Sequence, residues 1–428
     1  MNVKSTFCLC VRESIRTTMD SELKVLEFFS GIGGLHYALE LAAPGSRVLR
    51  AYDVDDAANA SYRHNHPTTP ICARNIAALK ASELAGVDCW LLSPPCQPYT
   101  RQGPQRASDD KRAQALSHLI DLLEAEAAHE EEEAAARTNE RAEHNEVDAA
   151  ASAPSSLFPK AMLLENVVGF ESSATRARLH RVLIRAGYSV SEVWASPAML
   201  GIPYQRTRYF LLARRCRDGA PPLPATLAAE LRHVTLLDPL KLDQALESGT
   251  PLPAPRGEVA EELSAACTPL SQFLEQPESL DSTVWVPEHI LERYGHSMDL
   301  VGRDARRSCC FTKNYVRYVK GTGSILCEAL GAEDKALEPH EKSLAALQSL
   351  RPRYFTPREV ARLHGFPEAF TFPGAISPKK RYELLGNSLS VQVVAALLRH
   401  ICFAAETCTE NKVATGTAPA DGIRAGSD

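Results

Sequence analysis

Several groups in this chain have side chains and spacing that could do chemistry together. The first is Cys96, in the loop Ser93-Pro94-Pro95-Cys96-Gln97-Pro98. The run Val87-Asp88-Cys89-Trp90-Leu91-Leu92 before it is nearly continuous in apolar residues and closes on prolines, which predicts a short buried strand. A thiol is thereby delivered to the carboxyl end of a strand. Pro94 and Pro95 fix φ and Pro98 restricts Gln97, so the loop can hold that thiol in one direction with little entropy left to lose. Taken alone, Cys96 is as readily an inert buried thiol, because cysteine packs as a small hydrophobe. Glu165 comes next, closing the apolar run Ala161-Met162-Leu163-Leu164; a carboxylate at the tip of a parallel strand is not a core residue without a partner. In Gln205-Arg206-Thr207-Arg208 the arginines alternate, so an extended segment would place both on one face.

These groups need elements to position them. Val25 to Phe29 read as a buried strand, Ser30-Gly31-Ile32-Gly33-Gly34 breaks it, and Leu35 to Leu41 resume at helical spacing. A strand, a glycine turn and a helix in that order open a nucleotide-binding α/β fold, where glycine lets the backbone approach a ligand closely. The spacing is not G-x-G-x-x-G and there is no Walker lysine, so the turn alone is a weak signal. A second apolar segment, Arg47 to Tyr52, then ends on Asp53, about twenty residues beyond the glycines, where such folds hold a ribose diol. Asn75-Ile76 closes a third segment and either flanks an adenine or forms a plain surface turn.

Composition sets the bounds. The chain has 428 residues, 44% hydrophobic and 23% charged, which suits a soluble globular protein with a large core. No window approaches eighteen uninterrupted apolar residues, so a membrane span is not expected. Twelve cysteines are scattered without a C-x-x-C pair. That argues against a structural zinc site or a disulfide framework, and a reducing cytoplasm with nuclear entry is expected. The net charge of −6 is unevenly placed. Eleven acids between Asp121 and Asp148 against Arg137 and Arg141 make a local balance of −9, leaving +3 on the rest. Such a body can still attract phosphate over a basic face.

Residues 1–22 read as a flexible leader, with a transit peptide or a start at Met19 as alternatives. After the Cys96 loop, Arg101, Arg106, Lys111 and Arg112 form a basic stretch that is solvated surface or a phosphate contact. The acidic insert, about 121–157, has high helix propensity but no sustained apolar stripe, which predicts a solvated helix or disorder. Its His129-Glu130-Glu131 matches the H-x-E of zinc deaminases, but the required P-C-x-x-C is absent, so no metal is expected. From Ala220 proline-rich pieces mark a boundary. Beyond it, Arg303, Arg306, Arg307, Lys313, Arg317 and Lys320 interleave with Phe311, Tyr315 and Tyr318, a pattern suited to stacking on splayed bases or to an exposed amphipathic surface. Thr356-Pro357-Arg358-Glu359 has capping-box spacing with proline at the first helical position.

In this order, Phe29 to Gly34, Pro94 to Gln97, Glu165-Asn166-Val167, Gln205 to Arg208, Arg358 to Pro367 and Gly386-Asn387-Ser388 resemble the cytosine-5 methyltransferases over about Lys24 to Ala404. Cys310-Phe311-Thr312 and Gly321 to Ser324 are similar to the tRNA-aspartate (cytosine-38-C5) branch. Glu27, where many members have aspartate, and the acidic insert depart from the pattern. The resemblance implies a mostly parallel, Rossmann-like S-adenosylmethionine-dependent methyltransferase domain (23–225, completed by 351–404), a target-recognition domain (226–350) and a disordered tail (405–428). It implies that Cys96 adds to C6 of cytosine, that Glu165 assists at N3 with a pKa raised by burial, and that Arg206 and Arg208 orient the base and activate the thiol. Phe29, Gly31, Ile32, Gly33, Gly34, Asp53, Val54, Asn75, Ile76, Pro95, Asn387 and Ser388 would hold S-adenosylmethionine. Gln97, Arg101, Asn166, Cys310, Phe311, Thr312, Lys313 and Arg317 would face the nucleic acid, expected to be tRNA-Asp bound by a monomer. DNA as substrate and a catalytically silent binding scaffold are the rival readings.

Overall fold

The computed structural model describes residues 22–95, 111–143, 156–215, 231, 234–248, 258–331 and 343–403. Cys96, Gln97, Arg101, Arg106, the leader up to 21 and the tail from 404 lie outside the described residues. The centre is an eight-stranded sheet of β1 (Lys24–Phe28), β2 (Arg47–Tyr52), β3 (Ile71–Cys72), β4 (Cys89–Leu92), β5 (Ala161–Val167), β6 (Tyr188–Ala195), β7 (Arg208–Arg215) and β8 (Thr235–Leu236). Their spatial order is β3-β2-β1-β4-β5-β7-β6-β8. The pairs β1–β2, β1–β4, β2–β3 and β4–β5 are parallel, and β7 runs antiparallel to both β5 and β6. Every residue of β4 and all but the last of β5 are buried, because helices cover both faces of the sheet.

Alternate residues of β1 divide the core. Val25 packs with the helices Gly34–Ala42 and Val391–Phe403 on one face, while Leu26 and Phe28 join Trp90, Leu116 and Leu119 on the other. The chain leaves β1 toward β2 and β3, then returns to the opposite side of β1 with β4. This reversal is the topological switch point, and the crevice beyond the carboxyl ends of β1 and β4 is where open α/β sheets bind ligands. The glycine turn leaves one of those ends and the Pro94-Pro95 loop the other.

The helix Lys111–Glu143 corrects one expectation. Leu116, Leu119, Ile120, Leu123 and Ala127 lie on one buried stripe against the sheet. That stripe is confined to the first half of the helix, before the alanine- and glutamate-rich half dilutes it. The acids are also paired: Arg178 bridges Asp121 and Glu124, Arg185 meets Glu131, and Arg215 reaches Glu130. Residues 144–155, the far end of the insert, lie outside the described residues.

A smaller sheet, β9 (Leu300–Val301), β10 (Ile325–Cys327) and β11 (Pro352–Arg353), has the order β11-β10-β9 and takes strands from both sides of residue 350. Residues Asp20–Phe403 form one compact unit. The helix Pro357–His364 starts with the capping box expected for it: the Thr356 hydroxyl accepts from Glu359 N, and Glu359 accepts from Thr356 N at 2.8 Å. The stretch Pro378–Ile401 is long and apolar enough to cross a membrane, yet its apolar window is 67% buried inside the protein, as a core helix is.

Candidate active site

The turn after β1 is held by its neighbours. Phe29 has φ of 57°, a conformation that side chains rarely adopt, and it is locked because the Ser93 hydroxyl donates to Phe29 O at 2.9 Å. Gly31, at φ of 54°, has open space where a Cβ would stand. The Asp53 carboxylate accepts from Gly31 N at 2.8 Å and from Asp55 N at 2.9 Å, so it organises the turn it faces. Burial raises its pKa, and those two N–H donors oppose the shift. Gly34 closes against the returning chain: a Cβ there would meet Leu389 and the Ser388 hydroxyl at 3.1 Å.

These features fit S-adenosylmethionine. The turn is open at Gly31, Val54 is apolar and 66% exposed beside Asp53, and the hydroxyls of Ser30 and Ser390 are buried with no partner among the described residues. Two further expected members are held by the protein itself. Ile76 is 3% exposed within the core beside Leu79, and Asn75 spends its side-chain oxygen capping Ala77 N at 3.0 Å. Pro95, half-buried, is the last described residue before Cys96.

On the substrate side, Asn166 donates to Pro94 O at 3.2 Å and accepts from Val167 N at 2.8 Å. It thereby ties the loop that carries Cys96 to β5. Glu165 is 8% exposed, and burial raises its pKa against the pull of Arg208 and Arg206. Arg208 Nε lies 3.5 Å from Glu165 Oε1. Burial alone would also raise the Cys310 thiol, but Arg206 and Arg208 outweigh it and hold its pKa below the ordinary cysteine value. Their guanidinium nitrogens lie 3.3 Å and 3.7 Å from its sulfur.

Arg206 is tied into the pocket wall. It is 3% exposed, and it donates to Phe311 O at 3.2 Å, to Gly386 O at 3.1 Å and to Ser388 O. Its two terminal nitrogens reach backbone carbonyls from two distant segments and so brace the pocket, while its buried Nε has no partner among the described residues. Two partners escaped the sequence reading. The Tyr204 hydroxyl accepts from Arg206 at 3.4 Å and donates to His364 Nε2 at 3.2 Å, while His364 Nδ1 donates to Val360 O at 2.8 Å. Burial, with Arg206 beside it, holds the His364 pKa well below the usual histidine value, so the ring is neutral and can accept that bond. Only the adjacency of Tyr204 to Arg206 hinted at this chain.

Phe311 and Tyr315 are core residues rather than exposed rings. They are 1% and 3% exposed and pack edge-to-face at 4.9 Å beside Phe355 and Gly323. The aromatic exposed in this stretch is Tyr318, at 55%, with Arg317 over its ring at 5.3 Å. Thr312 and Lys313 pass their backbone directly over Gly386, where a Cβ would collide with it. Asn387 follows at the end of the helix Pro378–Asn387, and Ser388 caps that helix.

A doubly wound sheet with a glycine turn, a partnered acid and a buried glutamate at the switch point defines a methyltransferase of the S-adenosylmethionine-dependent class. The chain belongs to the C-5 cytosine-specific DNA methylase family, whose sequence model matches residues 23–129 and 151–402. It is accordingly an S-adenosylmethionine-dependent cytosine-5 methyltransferase. It is similar to the tRNA (cytosine(38)-C(5))-methyltransferase of Homo sapiens, 34% identical over 417 residues and covering 88% of this chain and 98% of the relative. The DNA (cytosine-5)-methyltransferase of Dictyostelium discoideum is 31% identical, covering 88% and 94%. The crystal structure of the Schizosaccharomyces pombe Dnmt2 methyltransferase matches with a TM-score of 0.64 at 31% identity, over 89% of this chain and 98% of the other.

Proposed function

We propose that this enzyme methylates C5 of cytosine 38 in the anticodon loop of tRNA-Asp, with residues 226–350 as the target-recognition part. The observation that carries the reading is the Cys310 site, in which the thiol of the Cys310-Phe311-Thr312 signature sits between Arg206 and Arg208 and beside the Gly386 turn. The relatives named for cytosine 38 of tRNA support it. A base in a loop is also cheaper to unstack than one in a duplex.

In this mechanism Cys96, brought to the end of β4, adds as a thiolate to C6 of the base and C5 becomes nucleophilic; after the methyl group is taken up, loss of the C5 proton to solvent breaks the Cys96–C6 bond and returns the thiolate and the 5-methylcytosine ring. S-adenosylmethionine, when bound by the turn from Phe29 to Gly34 with Asp53, Val54 and Ser388, supplies the methyl group. Protonated Glu165 donates at N3 as electron density builds on the ring, and its raised pKa keeps that proton available. Arg208, beside Glu165, limits how far the pKa rises. Asn166 keeps the Cys96 loop against β5. The protein is proposed to act as a monomer in the cytoplasm with nuclear entry.

The test is tritiated methyl transfer to total tRNA and genomic DNA in parallel, followed by bisulfite sequencing of tRNA-Asp. Label at cytosine 38, abolished in Cys96→Ala, is expected. Labelled DNA with unmodified tRNA-Asp would move the substrate to DNA, in keeping with the relative from Dictyostelium discoideum.

A further inference from the structure

Beside the smaller sheet lies a cavity that the methyl-transfer chemistry does not use. It is lined by Trp285, Val286, Glu288, Leu291, Gln348, Arg351 and Pro352. Val286, Leu291 and Pro352 are buried and form its floor, Trp285 is half-buried, and Glu288, Gln348 and Arg351 are exposed. Its volume of about 220 Å³ is below the range of roughly 300–1,000 Å³ usual for ligand pockets, so it suits a single ring system rather than a whole cofactor.

The cavity has a strained residue in its wall. Arg351 has φ of 51° at the residue after Leu350, the cap of the helix Leu344–Ser349, a place where glycine is usual because a side chain is strained there. Its backbone is held on both sides: Arg351 N donates to Gln348 O at 3.0 Å, and Glu328 N donates to Arg351 O at 3.4 Å. Arginine in that place sets its guanidinium over the Trp285 ring, 5.0 Å from the centroid. Trp285 is fixed in turn by a bridge to Arg353, with Val286 N donating to Pro352 O at 3.1 Å and Tyr354 N to Val284 O at 2.8 Å. A ring with a guanidinium over it, the guanidinium exposed, is a platform on which one more planar group can stack. The exposed ends beside it can read an edge. As a carboxylate Glu288 only accepts hydrogen bonds, whereas the Gln348 amide both donates and accepts. Guanine, with adjacent N1 and N2 donors, suits such a carboxylate, and uracil, with one N–H between two carbonyl oxygens, does not.

We propose that this cavity is a second base slot, in which one unpaired base of the RNA, guanine by preference, stacks on the Trp285–Arg351 pair while the target cytosine occupies the catalytic pocket. The inference rests on the proposed RNA substrate and adds a contact to it. Residues 351 to 355 span at most about 14 Å. The Phe355 ring packs on Phe311, next to Cys310, with centroids 5.1 Å apart. A few nucleotides of one loop cover that distance. The lining holds one acid, Glu288, and one base, Arg351, so its charges cancel and stacking rather than phosphate attraction favours the occupant.

The test uses the full-length protein labelled with 5-fluorotryptophan and the anticodon stem-loop of tRNA-Asp. Of the three tryptophans, Trp90 and Trp194 are 0% and 2% exposed, so the fluorine resonance that disappears in Trp285→Phe reports on the slot. That resonance should move when RNA is added, and an abasic residue at one loop position other than 38 should abolish the movement. Arg351→Gly relieves the backbone strain as it removes the side chain. It should therefore keep the parent's melting temperature yet bind the stem-loop roughly 5- to 100-fold more weakly, the worth of one stacked base. The abasic RNA should bind the parent and Arg351→Gly alike, because each change removes the same contact. Arg351→Lys keeps the charge without the plane and should not restore affinity. An unmoved Trp285 resonance, undiminished affinity in Arg351→Gly, or full affinity in Arg351→Lys would overturn the slot. Methyl transfer to DNA alone would overturn the substrate reading instead, and a DNA hairpin of the same loop would then test the slot in each arm.

Discussion

Glu165 is asked to hold a proton at the tip of a strand, and burial is what lets it do so. In Glu165→Gln the side chain keeps its size and can still donate a hydrogen bond, but it cannot pass a proton. Methyl transfer should fall by roughly 10²- to 10⁴-fold with little change in tRNA affinity, measured by single-turnover kinetics and filter binding. The native rate should decline on the alkaline side as Glu165 ionises, at higher pH than an exposed glutamate would give, and that limb should vanish in the variant. Glu27 makes the corresponding argument for stability. Its pKa is raised from 4.5 to about 7, first by burial, with nearby Asp53 adding to the rise. Between those values the folded state keeps a proton that the unfolded chain has lost, so stability falls as pH rises through that window. The loss, complete above about 7, is on the order of 3 kcal/mol. Thermal melts should show Glu27→Gln gaining on the parent between pH 5 and 8, a window read from the same shift; parallel curves would show that Glu27 is not the group responsible.

At the scale of elements, two contacts decide how the pocket is built. Gly386 lets the chain at Thr312 and Lys313 pass over the helix end, and the obstacle a Cβ would meet is backbone, which cannot rotate away. Gly386→Ala should therefore cost about 3 kcal/mol or more by denaturant titration, at the upper end of overpacking penalties. The long helix after the Cys96 loop is held by two kinds of contact of unequal weight. Leu119 is 1% exposed, and Leu119→Ala should cost about 2–5 kcal/mol. Arg178 makes two ion pairs with the same helix, but its side chain is 32% exposed and its partners more so. Arg178→Ala should cost no more than about 1 kcal/mol and less in high salt. The reverse ranking would mean that charge, not the apolar stripe, docks the helix.

Across the whole molecule, the switch point gathers what the chain scatters: the turn after β1, the loop after β4, the glutamate of β5, the arginines around the start of β7 and the returning segment at Gly386 to Ser388. On the proposed function, RNA would cross the surface that carries Lys313, Arg317 and Lys320. Arg317 and Lys320 are exposed and Lys313 is half-buried. Replacing Arg317 by alanine should weaken tRNA binding and flatten the slope of log affinity against log salt by about one unit or less. An unchanged slope would place the RNA path elsewhere.

The order of the motifs, the strands feeding them and the capping box at Thr356 were legible in the sequence, because hydrophobic period, proline and glycine act locally. The acid at Asp53 and the carboxylate at Glu165 were legible too, since polar groups at strand tips are conspicuous. What the sequence could not show is which side chains face which. Phe311 and Tyr315 read as exposed ring carriers among basic residues, yet they close a core with Phe355, and Arg206 reads as a base contact yet bonds the carbonyls of Phe311, Gly386 and Ser388. Periodicity reports burial only when one face of an element is apolar. In an irregular loop burial depends on what the rest of the chain lays across it, and the backbone of residues 312–313 crossing Gly386 is decided only when segments far apart in sequence meet.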